Sequence, residues 1–418
     1  MMKKLFTFLT IALSIMQLYA QQTEIRRSEY RSMDDDGNFI NVVQLEVDGR
    51  YFYDIDENTH TAIFKRWYGN GTGDDSELIV PSAIDYEGVR YKIVALGGDV
   101  GNQNEKLERV IIPEGITRIN GFAYCYGLKS IIIPSSVKEI GSNTFRDCIE
   151  LENIVLPEGL STLGYRAFYN CVKLKSIVIP SSVARIESGV FYNCQQLSSI
   201  TIPSTVSEIG EEVFYNCVSL KTINLNEGLI SIGKAAFSHC TALDSIILPN
   251  SLKALGIHAF YGCTSLRSVK LPESLKVVPD AAFMKCGALT SIEFPNSIYI
   301  IASSAFRECT SLKKVELPRN LTALNGSVFQ DCSSLVEIVV PEGVTKISSG
   351  FFYSCESLTD IYCYSEMPPE IDGALYGVPL EQVTVHVPVV KKYKKDISWK
   401  AFGKLVPIQY ISTKGCQR

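Results

Sequence analysis

Apolar and polar residues recur along most of this chain with a period of 23 residues. The period is marked by cysteines at Cys125, Cys148, Cys171, Cys194, Cys217, Cys240, Cys263, Cys286, Cys309, Cys332 and Cys355. In each of these eleven cycles a phenylalanine lies three positions before the cysteine and a leucine lies three positions after it. Because three residue types stay in phase throughout, the pattern predicts a repeat protein in which every cycle forms the same unit.

Each cycle contains a segment with the period of a strand. Ile177 and Ile179 alternate with Ser176 and Val178, as expected for a short strand with one buried side. Pro180 follows, and its missing backbone donor ends the pairing of that strand. We therefore expect Ile177 and Ile179 to point inward and Val178 to point outward.

The residues around each cysteine have a different spacing. Ala167, Phe168, Cys171 and Leu174 lie at offsets 0, 1, 4 and 7, which places them on one side of a helical turn. A complete cycle is thus predicted to form a strand, a corner, a second short extended piece, a helical turn and another corner.

A unit of this length has no second layer on which to bury its apolar side. Stacking identical coils solves the problem, because leucine then packs on leucine, isoleucine on isoleucine and phenylalanine on phenylalanine. The strands of successive coils would form a parallel sheet with a spacing of about 4.8 Å. The predicted fold is an α/β repeat solenoid, a right-handed stack of coils whose stability comes from contacts between neighbours.

The frame of the repeat resembles the BspA-like leucine-rich repeat family of bacterial exported proteins. The residues that carry the resemblance are Ile177 to Pro180, Val206, Ile209 and Gly210, and Ala167, Phe168 and Cys171. The likeness extends over roughly residues 78–362. It implies a leucine-rich-repeat solenoid and a cell-surface or secreted protein that takes part in adhesion and contacts with a host, extracellular-matrix proteins included.

The two ends of the chain differ from the repeats. Residues 1–20 combine Lys3 and Lys4 with an apolar stretch and a small residue, Ala20, which is typical of a secretory signal peptide. We predict a β-rich N-terminal cap over residues 21–77, then one degenerate and eleven regular coils over 78–362. Residues 363–418 are predicted to cap the open end, since terminal coils expose core and sheet edge.

Composition limits the chemistry that this chain can perform. The sequence has 40 basic and 45 acidic residues, hence a net charge of −5, which disfavours nucleic-acid binding driven by bulk charge. Only four histidines are present, and no nucleophile or metalloprotease motif occurs. We expect no enzyme activity, no cofactor and no metal. After the signal peptide no apolar run reaches the length of a membrane span.

The cysteine series is predicted to be structural. One ligand per coil cannot converge on a single ion, and neighbouring side chains would run parallel instead of toward each other. Free cysteine packs as a small apolar residue, which is the interpretation we prefer for all eleven. Cys363 and Cys416 lie outside the series, and a disulfide between them is left open.

Two sets of exposed repeat positions are candidate binding residues. The first set follows the phenylalanines and comprises Tyr169, Tyr192, Tyr215, Asn170, Asn193 and Asn216. The second set lies between the inward strand residues and comprises Ile111, Ile132, Val155 and Val178. Later in the chain that second position is charged, at Lys270, Glu293 and Glu316. The tyrosines could also simply stabilise the stack, and a flanking segment could cover the apolar residues.

The sequence leaves two functional hypotheses open. The first is a non-enzymatic exported interaction protein that binds protein or glycan ligands at the bacterial surface, as the resemblance implies. The second is a structural or accessory protein of the cell envelope that assists glycan capture. In both cases the protein is exported to the cell surface, the medium or the periplasm, and a monomer without a membrane span is expected.

Overall fold

The computed structural model describes residues 24–33, 39–69, 75–373 and 375–408 of this chain. These residues form a β-solenoid of about 14 turns with repeats of about 23 residues. The parallel stacking predicted from the period is confirmed, because successive strands pair in parallel at a separation of 23 residues, as in Ile200 with Ile223. Residues 1–20, predicted as a signal peptide, lie outside the described residues.

An antiparallel sheet covers the N-terminal end of the stack, as predicted. The seven N-terminal strands are β1 (Ile25–Met33), β2 (Phe39–Val47), β3 (Tyr51–Asp56), β4 (Thr61–Trp67), β5 (Glu77–Ile79), β6 (Ala83–Tyr86) and β7 (Val89–Asp99). Strands β1 to β4 pair in sequence order, β4 then pairs with β7 in parallel, and β7 pairs with the first coil.

Each regular coil contributes one strand to a row that we call the front strands. Leu78 of β5 pairs with Val110, so this row begins before the regular repeats. In two coils the row is reduced to a bridge between Asn153 and Ser176. The other front strands are β8 (Arg109–Ile111), β10 (Ser130–Ile132), β14 (Ser199–Thr201), β16 (Thr222–Asn224), β18 (Ser245–Ile247), β20 (Ser268–Lys270), β22 (Ser291–Glu293), β24 (Lys314–Glu316), β26 (Glu337–Val340), β28 (Asp360–Cys363), β30 (Thr384–Val387) and β31 (Lys404–Pro407).

A second row of two-residue strands follows the proline corner of each coil. The N-terminal sheet joins this row and not the front strands, since Ala95 of β7 pairs with Arg118 in the first member of the row. The row consists of β9 (Arg118–Ile119), β11 (Glu139–Ile140), β12 (Thr162–Leu163), β13 (Arg185–Ile186), β15 (Glu208–Ile209), β17 (Ser231–Ile232), β19 (Ala254–Leu255), β21 (Val277–Val278), β23 (Ile300–Ile301), β25 (Ala323–Leu324), β27 (Lys346–Ile347) and β29 (Glu370–Ile371).

The segment predicted as a helical turn is a series of tight turns. Between residues 75 and 373 no segment is an α-helix. The amide of Cys194 donates to the carbonyl of Phe191 and that of Leu197 to Cys194, so each bond closes over three residues instead of four. The same segment also bonds to the next coil, as from the Asn193 amide to the Tyr215 carbonyl at 2.7 Å. Turns place the predicted residues inward while they add bonds between coils.

The interior of the stack consists of columns of identical side chains. Phenylalanine rings of consecutive coils from Phe122 to Phe329 stack at centroid distances between 5.2 and 5.9 Å. These rings, the cysteines and the leucines beside them are fully buried. The repeat therefore produces one continuous apolar core instead of a series of small ones.

The C-terminal segment continues the front strands for two more members after the sequence frame is lost. A 3₁₀ turn (Leu380–Gln382) precedes the first of them, and the helix α1 (Val390–Tyr393) and a second 3₁₀ turn (Trp399–Ala401) connect the two. Trp399 is fully buried, and its indole nitrogen donates to the carbonyl of Pro369 at 2.7 Å. An aromatic plug closes this end of the core.

Candidate functional site

An exposed apolar strip follows the front strands near the N-terminal end. Val155 is 81% and Val178 is 75% exposed, whereas Ile154 and Leu156 on either side of Val155 are buried. Ile132 is 57% exposed, and Ile111 is half-buried. We call these four residues (Ile111, Ile132, Val155 and Val178) the front strip. The alternation of side chains along a strand turns all four of them out of the core.

The column of the front strip contains apolar residues that the sequence reasoning missed. Ile247 is 82% exposed and lies 69 residues, or three periods, after Val178, so the period could have identified it. Ile79 is 42% exposed and pairs with Ile111, but it lies outside the regular spacing. Only strand pairing reveals its position. Thr201 and Asn224 separate Ile247 from the front strip.

Farther along the stack the same column is charged, as the sequence predicts. Lys270, Glu293 and Glu316 are all exposed on the front strands. The front of the molecule is therefore apolar in its first coils and charged in the three coils of Lys270, Glu293 and Glu316, after which Val339 continues the column. The apolar and the charged stretch therefore have different binding properties.

Alternating charges lie beside the front strip at the corner before each strand. Lys129 contacts Glu108 at 2.7 Å, and Lys175 contacts Glu152 at 2.6 Å. All four side chains remain about half exposed. The hydrogen bond from Lys175 lowers the pKa of Glu152. Exposed pairs of this kind contribute little to folding stability, so their charges remain available to a partner.

The predicted tyrosine residues form a stacked column. The ring centroids of Tyr169 and Tyr192 lie 4.5 Å apart and those of Tyr192 and Tyr215 lie 4.7 Å apart, and the rings of each pair are nearly parallel. The guanidinium of Arg146 lies 5.0 Å from the Tyr169 ring. Burial, followed by the charge of the neighbouring tyrosines, raises the pKa of Tyr192 to about 12. The ring faces are occupied by each other, which leaves ring edges and hydroxyl groups at the surface.

The predicted asparagine residues have a structural role that the sequence reasoning did not identify. Asn170, Asn193 and Asn216 have φ angles of 60°, 58° and 58°, in the left-handed region that asparagine tolerates better than most residues. The side-chain amides of Asn193 and Asn216 each donate to the carboxamide of the preceding coil, and that of Asn170 donates to the carboxylate of Asp147. A role of these residues in binding stays a prediction.

The cysteine series lies in the core of the stack, where the predicted packing role would place it. All eleven members are free and fully buried. From Cys148 onward each Sγ donates to the carbonyl oxygen of the phenylalanine one coil earlier, for example from Cys217 to Phe191 at 3.2 Å. Burial raises the pKa of Cys217 to about 12, so the thiol remains protonated and unreactive. The bond to the carbonyl gives cysteine an advantage over alanine at this position.

Cys363 lies outside the series and has a different environment. It is buried, and its Sγ lies 3.3 Å from the hydroxyl of Tyr393 in α1. Cys416 lies outside the described residues, so a disulfide between the two stays a prediction.

A family model for the BspA type leucine rich repeat region matches this chain in four overlapping stretches, 116–244, 162–290, 230–359 and 276–402. Together these stretches include more than half of the chain. The chain belongs to the BspA-type leucine-rich repeat family. No curated protein matches it at a significant level.

Solved structures of bacterial repeat proteins resemble this BspA-type protein. A leucine-rich repeat protein from Bacteroides ovatus is 25% identical, with 77% of this chain and 97% of that chain covered and a TM-score of 0.59. The pneumococcal vaccine antigen PcpA is 19% identical, with 92% and 100% covered and a TM-score of 0.58. A leucine rich cell surface protein from Faecalibacterium prausnitzii is 24% identical, with 88% and 95% covered and a TM-score of 0.49.

An open cleft of about 430 Å³ lies on the N-terminal sheet among Tyr30, Gln44, Lys65 and Arg66. Its polar groups bond to carboxylates, as Tyr30 does to Asp54 at 2.9 Å. Among the described residues no group of three His, Cys, Asp or Glu could hold a metal ion. No helix in the described ranges is long and apolar enough to cross a membrane.

Proposed function

We propose that this protein is an exported, non-enzymatic bacterial scaffold that binds a protein partner on its front strip. The observation that carries the proposal is the exposure of Val155 and Val178 within a molecule whose other repeat columns of valine and isoleucine are buried. A continuous exposed apolar strip with a charged margin has the composition of a protein interface. Glycans are polar, and they fit this strip less well than a protein surface does.

Export and surface location are part of the same proposal. Support comes from the signal-peptide pattern of residues 1–20 and from membership of the BspA-type family. The long, regular face of a solenoid suits recognition of an extended partner better than conversion of a small substrate.

The test is a binding screen of the purified protein against extracellular-matrix proteins and a glycan array. Val155→Asp with Val178→Asp should weaken protein binding at least about tenfold, because charges then replace the apolar contact. Asn224→Asp is the matched control, since it adds a carboxylate to the same exposed column beyond the front strip. Thermal melting should show that all variants remain folded, because none of these side chains belongs to the core.

The same screen distinguishes the front strip from the tyrosine column. If binding survives Val155→Asp with Val178→Asp but is lost after Tyr169→Ala, Tyr192→Ala and Tyr215→Ala together, the front strip is not the binding surface. Binding confined to the glycan array would favour the accessory envelope function instead.

A further inference from the structure

The charges beside the front strip alternate in sign from coil to coil. At the corner before the front strands lie Glu108, Lys129, Glu152 and Lys175, which we call the charged flank. Read along the stack, their signs are minus, plus, minus, plus. Read in the opposite direction they are plus, minus, plus, minus. The charged flank is therefore complementary to its own reversed copy.

The opposite side of the front strip has a second alternation with the same property. After the proline corner lie Glu114, Ser135, Glu158 and Ser181, all exposed, which we call the serine flank. Within the chain the hydroxyl of Ser135 already donates to Glu114 at 3.0 Å, so serine and glutamate make a compatible pair here. On reversal each glutamate lies opposite a serine and no carboxylate lies opposite another.

We propose that the front strip binds a second copy of this chain, antiparallel and face to face. The inference rests on the proposed function, because it names the partner of the same surface. A two-fold axis parallel to the strands would cross the face between the coils of Ile132 and Val155. Ile132 then packs on Val155 of the second copy.

The same axis brings both alternations into register. Glu108 faces Lys175 of the second copy, and Lys129 faces Glu152 of the second copy. On the serine flank, Glu114 faces Ser181 of the second copy. One symmetry operation therefore aligns the apolar strip and both flanks, without placing like charges opposite each other.

The fold leaves this face open. The antiparallel strands β1 to β4 join the row of second strands, so the N-terminal sheet does not extend along the front strands. Six coils, from Ile79 to Thr201, present a face of about 24 Å by 15 Å, or roughly 400 Å² per partner. That area is about half of a standard interface, so the dimer is weak and concentration-dependent.

A charge exchange between two chains tests the register. Sedimentation velocity of the purified protein from about 1 µM to about 300 µM should show a monomer that becomes a dimer. Lys129→Glu places a carboxylate opposite Glu152 of the second copy, and Glu152→Lys places an ammonium opposite Lys129 of the second copy. Each variant alone should therefore dimerise at least about tenfold more weakly. An equimolar mixture of the two variants should dimerise again, because opposite charges then face each other at every position of the charged flank.

Three results would overturn the self-association. They are a wild-type protein that remains monomeric at the highest concentration, single variants that dimerise as well as wild type, and a mixture that fails to dimerise. If the protein is monomeric while Val155→Asp with Val178→Asp abolishes binding to a matrix protein, the second copy is the wrong partner but the proposed function stands. If those substitutions change neither property, both proposals fail.

Discussion

Two kinds of side-chain column, interior and exterior, lie within one turn of this solenoid and differ in which residues they accept. Phe191 and Cys194 belong to interior columns that have the same residue in all eleven coils. Tyr192 and Asn193 lie between them and belong to exterior columns in which residue type changes from coil to coil. In each pair one backbone amide donates to the next coil and the other donates within the turn. The contrast therefore arises from what each side chain contacts.

Each interior column accepts a single residue type because its side chain contacts a specific group in the preceding coil. The thiol of Cys194 donates to the carbonyl of Phe168 in the preceding coil at 3.3 Å, and the Phe191 ring stacks on Phe168 at 5.8 Å. A larger residue would separate the coils, and a smaller one would leave a cavity and an unpaired carbonyl.

The exterior column before each cysteine is restricted in backbone conformation instead of residue type. Its members all have φ between 56° and 71° although they include acidic, basic, amide and aromatic side chains. They are Tyr124, Asp147, Asn170, Asn193, Asn216, His239, Gly262, Lys285, Glu308, Asp331 and Ser354. Bonds between coils hold this left-handed conformation, so surface chemistry can vary while the stack is preserved.

The largest effect expected from the contrast between interior and exterior columns is a loss of folding stability at alkaline pH. Burial raises the pKa of Cys217 and Cys263 from about 9 to about 12, whereas the unfolded chain keeps the ordinary value. Stability is complete below about pH 9 and falls as pH rises toward 12, because the unfolded state then binds fewer protons. Each thiol in a unit that unfolds together contributes a loss of about 1.4 kcal/mol per pH unit.

Urea denaturation of the reduced protein at about pH 8 and about pH 10 measures this loss. Cys217→Ala is the control. It removes one titrating thiol, so the free energy of unfolding should depend less on pH by the contribution of that thiol. An unfolding midpoint that is the same at both pH values would show that the thiols are accessible in the folded protein.

A single interior substitution is expected to have the next largest effect. Cys217→Asp buries an unpaired carboxylate and should lower the free energy of unfolding by about 3–5 kcal/mol, whereas Cys217→Ala should lower it by about 1–2 kcal/mol. The matched exterior change is Asn216→Asp, one residue earlier, in a column where Asp147 and Asp331 already occur. Its expected effect is about 1 kcal/mol or less. Chemical denaturation followed by circular dichroism compares the three, and equal losses for both aspartates would contradict a distinct interior.

The interior could be predicted from the sequence because each buried residue contacts its own equivalent in the next coil. The same reasoning located the outward position of Val155 and Val178, since strand alternation leaves no other direction. Family membership followed from the same spacing of Phe168 and Cys171.

The turns could not be predicted in the same way. Offsets of 0, 1, 4 and 7 suit a helical turn and a series of tight turns equally, and the left-handed position has no constant residue type. The C-terminal coils could not be predicted from the sequence for another reason. Asp360 pairs with Thr384 and Thr384 with Lys404, at separations of 24 and 20 residues, so the period is lost although the sheet continues.

The smallest expected effect separates the two roles of the asparagine column. Asn193→Gly removes the side-chain amide bonds to Asn170 and Asn216 but accepts a φ of 58° without strain. Asn193→Ala removes the same bonds and adds the strain of a left-handed alanine, so it should be less stable than the glycine variant by about 1 kcal/mol. Urea denaturation measures the difference, and binding of both variants to the same partner is the second readout. If alanine and glycine are equally stable, the turn is not held left-handed. If both keep their shape but lose the partner, the amide itself contacts the ligand, and the exterior column is a binding surface as well as a conformational constraint.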